Sequence, residues 1–133
     1  MKTATKSSHG SWSSVIGAEP VTSFDIRLDQ YGQHNYVGLS PRSSFIADGY
    51  NHGYVIQVHN GYKSSQLGKN DQHCYGAIFS PGDIVTVRVT NGNEIHFGKN
   101  GQDLGKAFMV TAPTVPLFPL VTMYSIGKVT IVD

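Results

Sequence analysis

Apolar and polar positions alternate most regularly in the middle of the chain, and this alternation predicts a β-hairpin. In residues 85–89, VTVRV, every second residue is a valine, and after the Asn91-Gly92 turn the pattern resumes with Ile95 and Phe97. A period of two is typical of an antiparallel strand with one buried face. The middle of the chain therefore predicts two strands and a glycine turn, with a second glycine turn following them.

The register of this hairpin follows from its apolar face. Residues that lie opposite each other in an antiparallel pair share a face, so the valines must lie opposite Ile95 and Phe97. A two-residue loop would place Val89 opposite an acidic residue and bury the acid. A three-residue loop at 91–93 places Val89 opposite Ile95 and Val87 opposite Phe97.

The same register makes two further predictions. Arg88 and His96 should form an exposed cross-strand pair on the polar face of the hairpin. A loop of odd length needs a residue at positive φ, and we expect Gly92 in that role.

Alternation and turn residues predict about a dozen short strands in all and no helix. Besides the hairpin, strands are predicted at residues 23–28, 36–40, 53–59, 62–67, 117–124 and 128–132. Pro119 suits an edge strand or a bulge better than a central position. Short strands joined by turns predict an all-β antiparallel sandwich of two sheets. Residues 1–10 are polar and lack periodicity, so we expect a flexible lead-in followed by a single domain at 11–133.

Composition narrows the classes of function. With 133 residues, 14% of them charged and a net charge of +1, the chain is expected to be one domain without the basic surface that nucleic-acid binding needs. Cys74 is the only cysteine, so no intramolecular disulfide is possible. No apolar run approaches the length of a membrane span. We expect an intracellular, cytoplasmic protein that does not bind membranes and is a monomer on its own.

Catalytic and metal chemistry find little support in the residue pattern. His73 and Cys74 are neighbours, but adjacent residues of a strand point to opposite faces, so they are badly placed for a dyad. No two of the six histidines are two to four residues apart, as zinc ligands usually are, although His34 and His52 from two loops remain an alternative. The Gly-Lys pairs precede no helix that could hold a phosphate. We expect no catalytic residue, no metal and no cofactor.

Several motifs, taken in order, resemble the signature of SPRY domains. They are Tyr36-Val37-Gly38-Leu39-Ser40, Gly82-Asp83 before the hairpin, Lys99-Asn100-Gly101 with Leu104-Gly105 and Ala107-Phe108 after it, then Pro116-Leu117-Phe118-Pro119 and Val129-Thr130-Ile131. The resemblance covers roughly residues 11–132 and lacks the extra PRY segment of many relatives. It implies a bent, concanavalin/jelly-roll-like SPRY fold without catalytic activity.

The resemblance also implies where a partner binds. SPRY domains bind peptide segments or protein surfaces through loops at one end of the sandwich, and tyrosine and amide side chains in loops suit such recognition. Carried over by position, the partner-binding residues are Tyr31, Gln33, His34, Asn35, Arg42, Tyr50, Asn51, Asn100, Gln102, Tyr124 and Ser125. Some relatives use an arginine and a tryptophan to hold an asparagine-containing peptide, where this chain has Gln33-His34 and Tyr124.

Other classes of binding protein remain as alternatives. Residues 39–42, LSPR, resemble a fragment of the galectin pattern, but the His-x-Asn expected before it and the tryptophan expected after it are missing. A carbohydrate-binding, lectin-like sandwich is therefore the alternative function. RNA binding through exposed tyrosines and a purely structural role are further alternatives.

Overall fold

A computed structural model describes residues 2–6, 13–17, 19, 21–31, 35–42, 53–59, 61–65, 71–75, 78–110, 115–123 and 127–132. Within these ranges there are twelve strands and no α-helix. The strands are β1 (Lys2–Lys6), β2 (Ser13–Ile16), β3 (Ser23–Tyr31), β4 (Asn35–Ser40), β5 (Tyr54–Gln57), β6 (Tyr62–Ser65), β7 (Asp71–Cys74), β8 (Ile84–Val89), β9 (Glu94–Lys99), β10 (Gln102–Met109), β11 (Phe118–Met123) and β12 (Gly127–Val132).

The strands form two antiparallel sheets of six. We call the first, in the order β1-β12-β3-β8-β9-β10, sheet A, and the second, in the order β2-β11-β4-β5-β6-β7, sheet B. Chain neighbours β3 and β4 lie in different sheets, as do β11 and β12, so the chain crosses repeatedly between sheets. The predicted all-β, two-sheet sandwich is confirmed.

The central hairpin has the predicted register. Val87 pairs with Phe97 and Val89 with Ile95 across β8 and β9. The residue at positive φ, however, is Asn93 at 60°, and the prediction of Gly92 in that role is wrong. In a three-residue hairpin loop a turn is followed by one left-handed residue, which occupies the third position, and asparagine tolerates that conformation better than most residues.

Alternating side chains of both sheets meet in one main core. Phe24, Ile26 and Leu28 of β3 contribute from sheet A, and Val37 and Leu39 of β4 from sheet B. The valines and aromatic side chains of the central hairpin belong to the same cluster. The period of two therefore identified the inner face of these strands correctly.

The opposite face of sheet B is buried as well, which alternation did not predict. Every residue of β4 is buried, and Tyr36, Val55 and Leu120 form a second apolar cluster there. A strand that is buried on both faces reads as a continuous apolar run rather than an alternating one. The sequence of β4 mixes apolar, glycine and polar residues, so this second buried face had no clear signal.

Three boundaries differ from prediction. Residues 2–6 lie in the predicted lead-in but pair as β1 with β12. The loop predicted at 30–35 is shorter, because β3 continues to Tyr31 and β4 begins at Asn35. Pro119 is in a central strand, because β11 lies between β2 and β4. Main-chain pairing with neighbouring strands determines these positions, and a local pattern does not reveal it.

Candidate binding surface at one end of the sandwich

Three chain reversals meet at one end of the sandwich. The first residue of β12, Gly127, pairs with Tyr31, the last residue of β3. In sheet B, Met123 at the end of β11 pairs with Asn35 at the start of β4. The connections 32–34 and 124–126 therefore leave the sheets side by side. The β9–β10 turn lies at the same end, because Arg27 pairs with Ile84 and Val85 with Lys99. We call this the Asn35 end.

The predicted partner-binding residues divide into three groups. Tyr31, Asn35, Asn100 and Gln102 lie at the Asn35 end. Arg42 follows β4 at the other end, since β4 runs away from the Asn35 end. The remaining predicted residues, Gln33, His34, Tyr50, Asn51, Tyr124 and Ser125, lie outside the described residues. The described part of the chain thus brings four of the predicted residues to one end and separates the fifth from them.

Asn35 is not a surface loop residue, as predicted, but the buried first residue of β4. It is only 2% exposed, and its main-chain carbonyl accepts a hydrogen bond of 3.1 Å from Val58 N. Neither its side-chain Nδ2 nor its Oδ1 has a hydrogen-bond partner. Buried amides are nearly always paired, so this unpaired amide is the most unusual polar group at this end.

Asn100 stabilises the β9–β10 turn rather than standing free. Its Oδ1 accepts a hydrogen bond of 2.8 Å from Ile84 N, and its Nδ2 donates one of 3.0 Å to Asp83 Oδ1. Asn100 and Gly101 both have positive φ, at 52° and 86°, as a two-residue type I′ turn requires. Of the predicted residues in this turn, only Gln102 is exposed without a printed structural role for its side chain.

Asp83 is ionised by this arrangement and was missed by sequence reasoning. Hydrogen bonds from the side chain of Asn100 and from the main chain of Ser80 lower the pKa of Asp83, and the nearby Lys99 adds to the effect. Lys99 Nζ also donates a hydrogen bond of 3.0 Å to Ile78 O. The Gly82-Asp83 pair was noted in the sequence, but nothing local showed that its carboxylate binds the neighbouring turn.

Ile78 is a second feature of the Asn35 end that the sequence did not single out. Its side chain is 61% exposed, more than any other large apolar side chain of the described residues. The preceding strand β7 ends beside Gly61, and Phe79 N bonds to Val58 O, so Ile78 lies close to the start of β4 and β8. An exposed apolar side chain beside polar turns is typical of the contact residues in protein interfaces.

Arg42 has a structural role at the other end of the sandwich. Its Nη2 donates to Gly17 O, and its guanidinium lies 4.8 Å from the centre of the Phe118 ring. Gly17 N donates to Pro119 O, but Pro119 has no N–H to return to Gly17 O. Arg42 supplies the donor that proline lacks, which explains how a proline is accommodated in a central strand.

An apolar groove of about 650 Å³ opens at that same end. Its walls are Val21, Val89, Val110, Val115, Pro116 and Leu117, with Thr22, Ser23 and Asn93 at the rim. We call this the groove end. Sequence reasoning named none of these residues as a site, because they belong to four separate segments.

Charged side chains on the outer face of sheet A are largely paired with one another. His96 Nδ1 lies 3.1 Å from Asp103 Oδ2 and its Nε2 lies 3.2 Å from Glu94 Oε1. Arg88 Nη2 lies 3.2 Å from Asp103 Oδ1. Partial burial opposes ionisation of Asp103, but hydrogen bonds from His96 and Arg88 outweigh it and lower the pKa. Arg88 and His96 are thus in register as predicted, although the side chain of His96 is only 14% exposed.

Searches for other kinds of site gave no candidate in the ranges described. Those ranges contain no group of three or more histidine, cysteine, aspartate or glutamate residues arranged to hold a metal ion. They also contain no helix with the length and apolar character needed to cross a membrane.

Comparison with solved structures places this architecture. The structure superimposes on the crystal structure of a human SPRY domain with a TM-score of 0.77 and 21% identity, over 94% of this chain and 86% of that chain. It superimposes on the SPRY domain of human HERC1 with a TM-score of 0.79 and 22% identity, over 98% of this chain and 87% of that chain. No protein-family model and no curated protein matches the sequence. The chain therefore has the fold of SPRY domains.

Proposed function

We propose that this chain, which has the fold of SPRY domains, is a non-catalytic protein-recognition domain. It binds a peptide segment or protein surface at the Asn35 end of the sandwich. The proposal concerns the site as well as the fold, since a fold by itself does not define a function.

The observation that carries the proposal is the meeting of three chain reversals at the Asn35 end. Pairing of Gly127 with Tyr31 and of Met123 with Asn35 fixes the roots of two connections next to each other. Connections held by a rigid scaffold are where proteins most often build binding sites. The two connections contain Gln33, His34 and Tyr124, which combine amide and aromatic groups as antibody paratopes do.

The exposed side chain of Ile78 adds an apolar contact to this end. Protein interfaces combine an apolar centre with a polar rim, and tyrosine residues are enriched among their main energetic contributors. The Asn35 end offers both kinds of group, whereas the groove end offers a mostly aliphatic surface. This difference favours the Asn35 end for a partner that is recognised by specific polar contacts.

A double variant tests the proposal. Gln33→Ala combined with Tyr124→Ala is expected to remain folded but to bind the partner at least about tenfold more weakly, because truncation of an interface tyrosine typically costs 1–3 kcal/mol or more. The partner is obtained by affinity capture from host-cell extract with the unmodified domain, and its affinity for each variant is then measured with purified proteins.

A matched pair of substitutions at the groove end serves as the control. Met109 and Val115 are exposed apolar residues at that end, and Met109→Ser with Val115→Ser should leave partner affinity unchanged. If the groove-end variant loses the partner and the Gln33/Tyr124 variant keeps it, the binding surface is the groove end and the proposal is wrong.

A further inference from the structure

The unpaired amide of Asn35 is the starting point for a more specific inference. Its Nδ2 and Oδ1 are both buried without a hydrogen-bond partner. An amide can donate two hydrogen bonds and accept two, so four bonds are unmade at a residue that is 2% exposed. Each specific unpaired group in a folded protein calls for a physical reason, and ligand binding is one such reason.

The amide lies between the two sheets, at the Asn35 end of the space that separates them. Side chains two residues apart in a strand share a face, and Val37 and Leu39 of β4 both belong to the main core between the sheets. Asn35 therefore points inward as they do. It follows the 32–34 connection directly, and it pairs with Met123, the last residue before the 124–126 connection.

Sheet A leaves room for this amide at a glycine. A Cβ atom on Gly127, the first residue of β12, would lie 2.5 Å from Asn35 Nδ2 and 3.0 Å from Met123 Sδ. Contacts under 3.0 Å force something to move, so any other residue at 127 would displace the amide. Glycine at this position thus holds the amide at the junction of the two sheets, below the roots of both connections.

The chemistry of the group limits what can pair with it. A carboxamide presents a donor and an acceptor side by side, and a main-chain peptide group in an extended segment presents the matching acceptor and donor on one side. A carboxylate or an ammonium group would enter a buried site as an uncompensated charge, which is strongly unfavourable. The complementary ligand is therefore a neutral peptide group.

We propose that Asn35 is a specificity-determining contact that pairs with a main-chain peptide group of the bound partner segment. This inference rests on the proposed function, since it requires a peptide ligand at the Asn35 end. In the ligand-free protein the amide is unpaired, and binding supplies the missing hydrogen bonds. Asn35 should then contribute to affinity without contributing to the stability of the free protein.

The experiment begins with a displayed library of random peptides, from which the unmodified full chain enriches binders. The affinity of one enriched peptide is then measured for Asn35→Ala and for a matched control, Gln57→Ala, which removes the other buried amide of sheet B. Gln57 is equally buried but has interaction partners within the fold. We expect Asn35→Ala to lose at least tenfold in affinity with little change in its unfolding midpoint. We expect Gln57→Ala to lose several degrees in midpoint and less than twofold in affinity.

A second readout identifies the main-chain group itself. N-methylation of the peptide at each position in turn should reveal one position that costs the unmodified domain at least tenfold and costs Asn35→Ala less than threefold. This coupling between two changes is what a direct contact predicts, and a structural role for Asn35 would not produce it.

The possible failures differ from one another. If the library yields a binder whose affinity is the same for Asn35→Ala, the proposed function stands and the role of Asn35 is wrong. If the unmodified domain enriches no peptide, the proposed function fails and this inference fails with it. If Asn35→Ala does not unfold cooperatively, Asn35→Leu is measured in its place, and failure of both to fold makes the amide a structural group and overturns the inference.

Discussion

Individual polar side chains fix the ends of strands in this protein more than they decorate its surface. Asn100 illustrates this, because it was predicted to contact a partner and instead joins its own turn to Ile84 and Asp83. Arg42 was predicted to do the same and instead completes the hydrogen bonding around Pro119. Polar residues in loops are equally suited to both roles, so the sequence alone did not separate them.

Acid sensitivity should follow from the lowered pKa of Asp83. A carboxyl group whose pKa is lower in the folded than in the unfolded state stabilises the fold fully above its unfolded pKa of about 3.9. That stabilisation is lost as the pH falls through the folded pKa. Asp83→Asn should therefore show a smaller loss of stability between pH 5 and pH 2 than the unmodified protein.

Urea unfolding midpoints across that range measure the effect. The variant should retain some acid sensitivity, because the pKa values of Asp29 and Asp103 are lowered as well. Parallel pH profiles for the two proteins would contradict a role for the Asp83 carboxylate.

Turns and bulges decide how the strands of sheet A meet. Asn93 carries the left-handed conformation of the β8–β9 loop, whereas Gly92 does not. Asn93→Ala should cost about 1–2 kcal/mol, because an alanine is strained at positive φ. Gly92→Ala should be neutral or stabilise the fold slightly, since its added Cβ would meet only Thr90 Oγ1 at 3.8 Å. Chemical denaturation of both variants tests this, and the opposite order would show that Gly92 is the residue that needs positive φ.

A bulge in β10 is closed by a side chain from outside sheet A. The register of β10 shifts between Asp103 and Lys106, and the Tyr75 hydroxyl reaches this point. It donates to Gly105 O and lies 3.3 Å from Phe97 N, which donates to it. Burial raises the pKa of Tyr75.

Tyr75→Phe should therefore lower the free energy of unfolding by about 1–2 kcal/mol, because it leaves a buried main-chain N–H and carbonyl without their partner. Chemical denaturation measures this loss. In a pH titration followed by tyrosine absorbance, the variant should lack the group that ionises latest. A variant as stable as the unmodified protein would show that water satisfies the bulge equally well.

The two sheets as a unit depend on pairing between distant parts of the chain. β1 illustrates this, because the first residues of the sequence pair with β12, near its end. The polar residues 2–6 carry no apolar alternation, and the free edge of β12 supplies the hydrogen bonds that make them a strand.

Removal of residues 1–6 should lower stability and expose the main chain of β12 on one side. Native-state hydrogen exchange is expected to show faster exchange of β12 amides and little change in β8 and β9, which lie elsewhere in sheet A. Unchanged protection of β12 would mean that residues 1–6 behave as the flexible lead-in that the sequence predicted.

The sequence by itself determined the class of fold and the register of the central hairpin. Alternation at 85–89, Ile95 and Phe97 is a local pattern with one buried face, and only one register buries every apolar residue. Strands 23–28 and 128–132 were found for the same reason. Ordered motifs also identified the SPRY fold, which the solved structures confirm.

Tertiary structure decided which polar residues lie at a surface. Asn35 is buried because β3 and β4 extend further than predicted, and Arg42 lies at the groove end because β4 runs away from the Asn35 end. The burial of both faces of sheet B and the pairing of β1 were decided at the same level. These features depend on contacts between residues far apart in the chain, whereas local patterns report only which face of one strand is apolar.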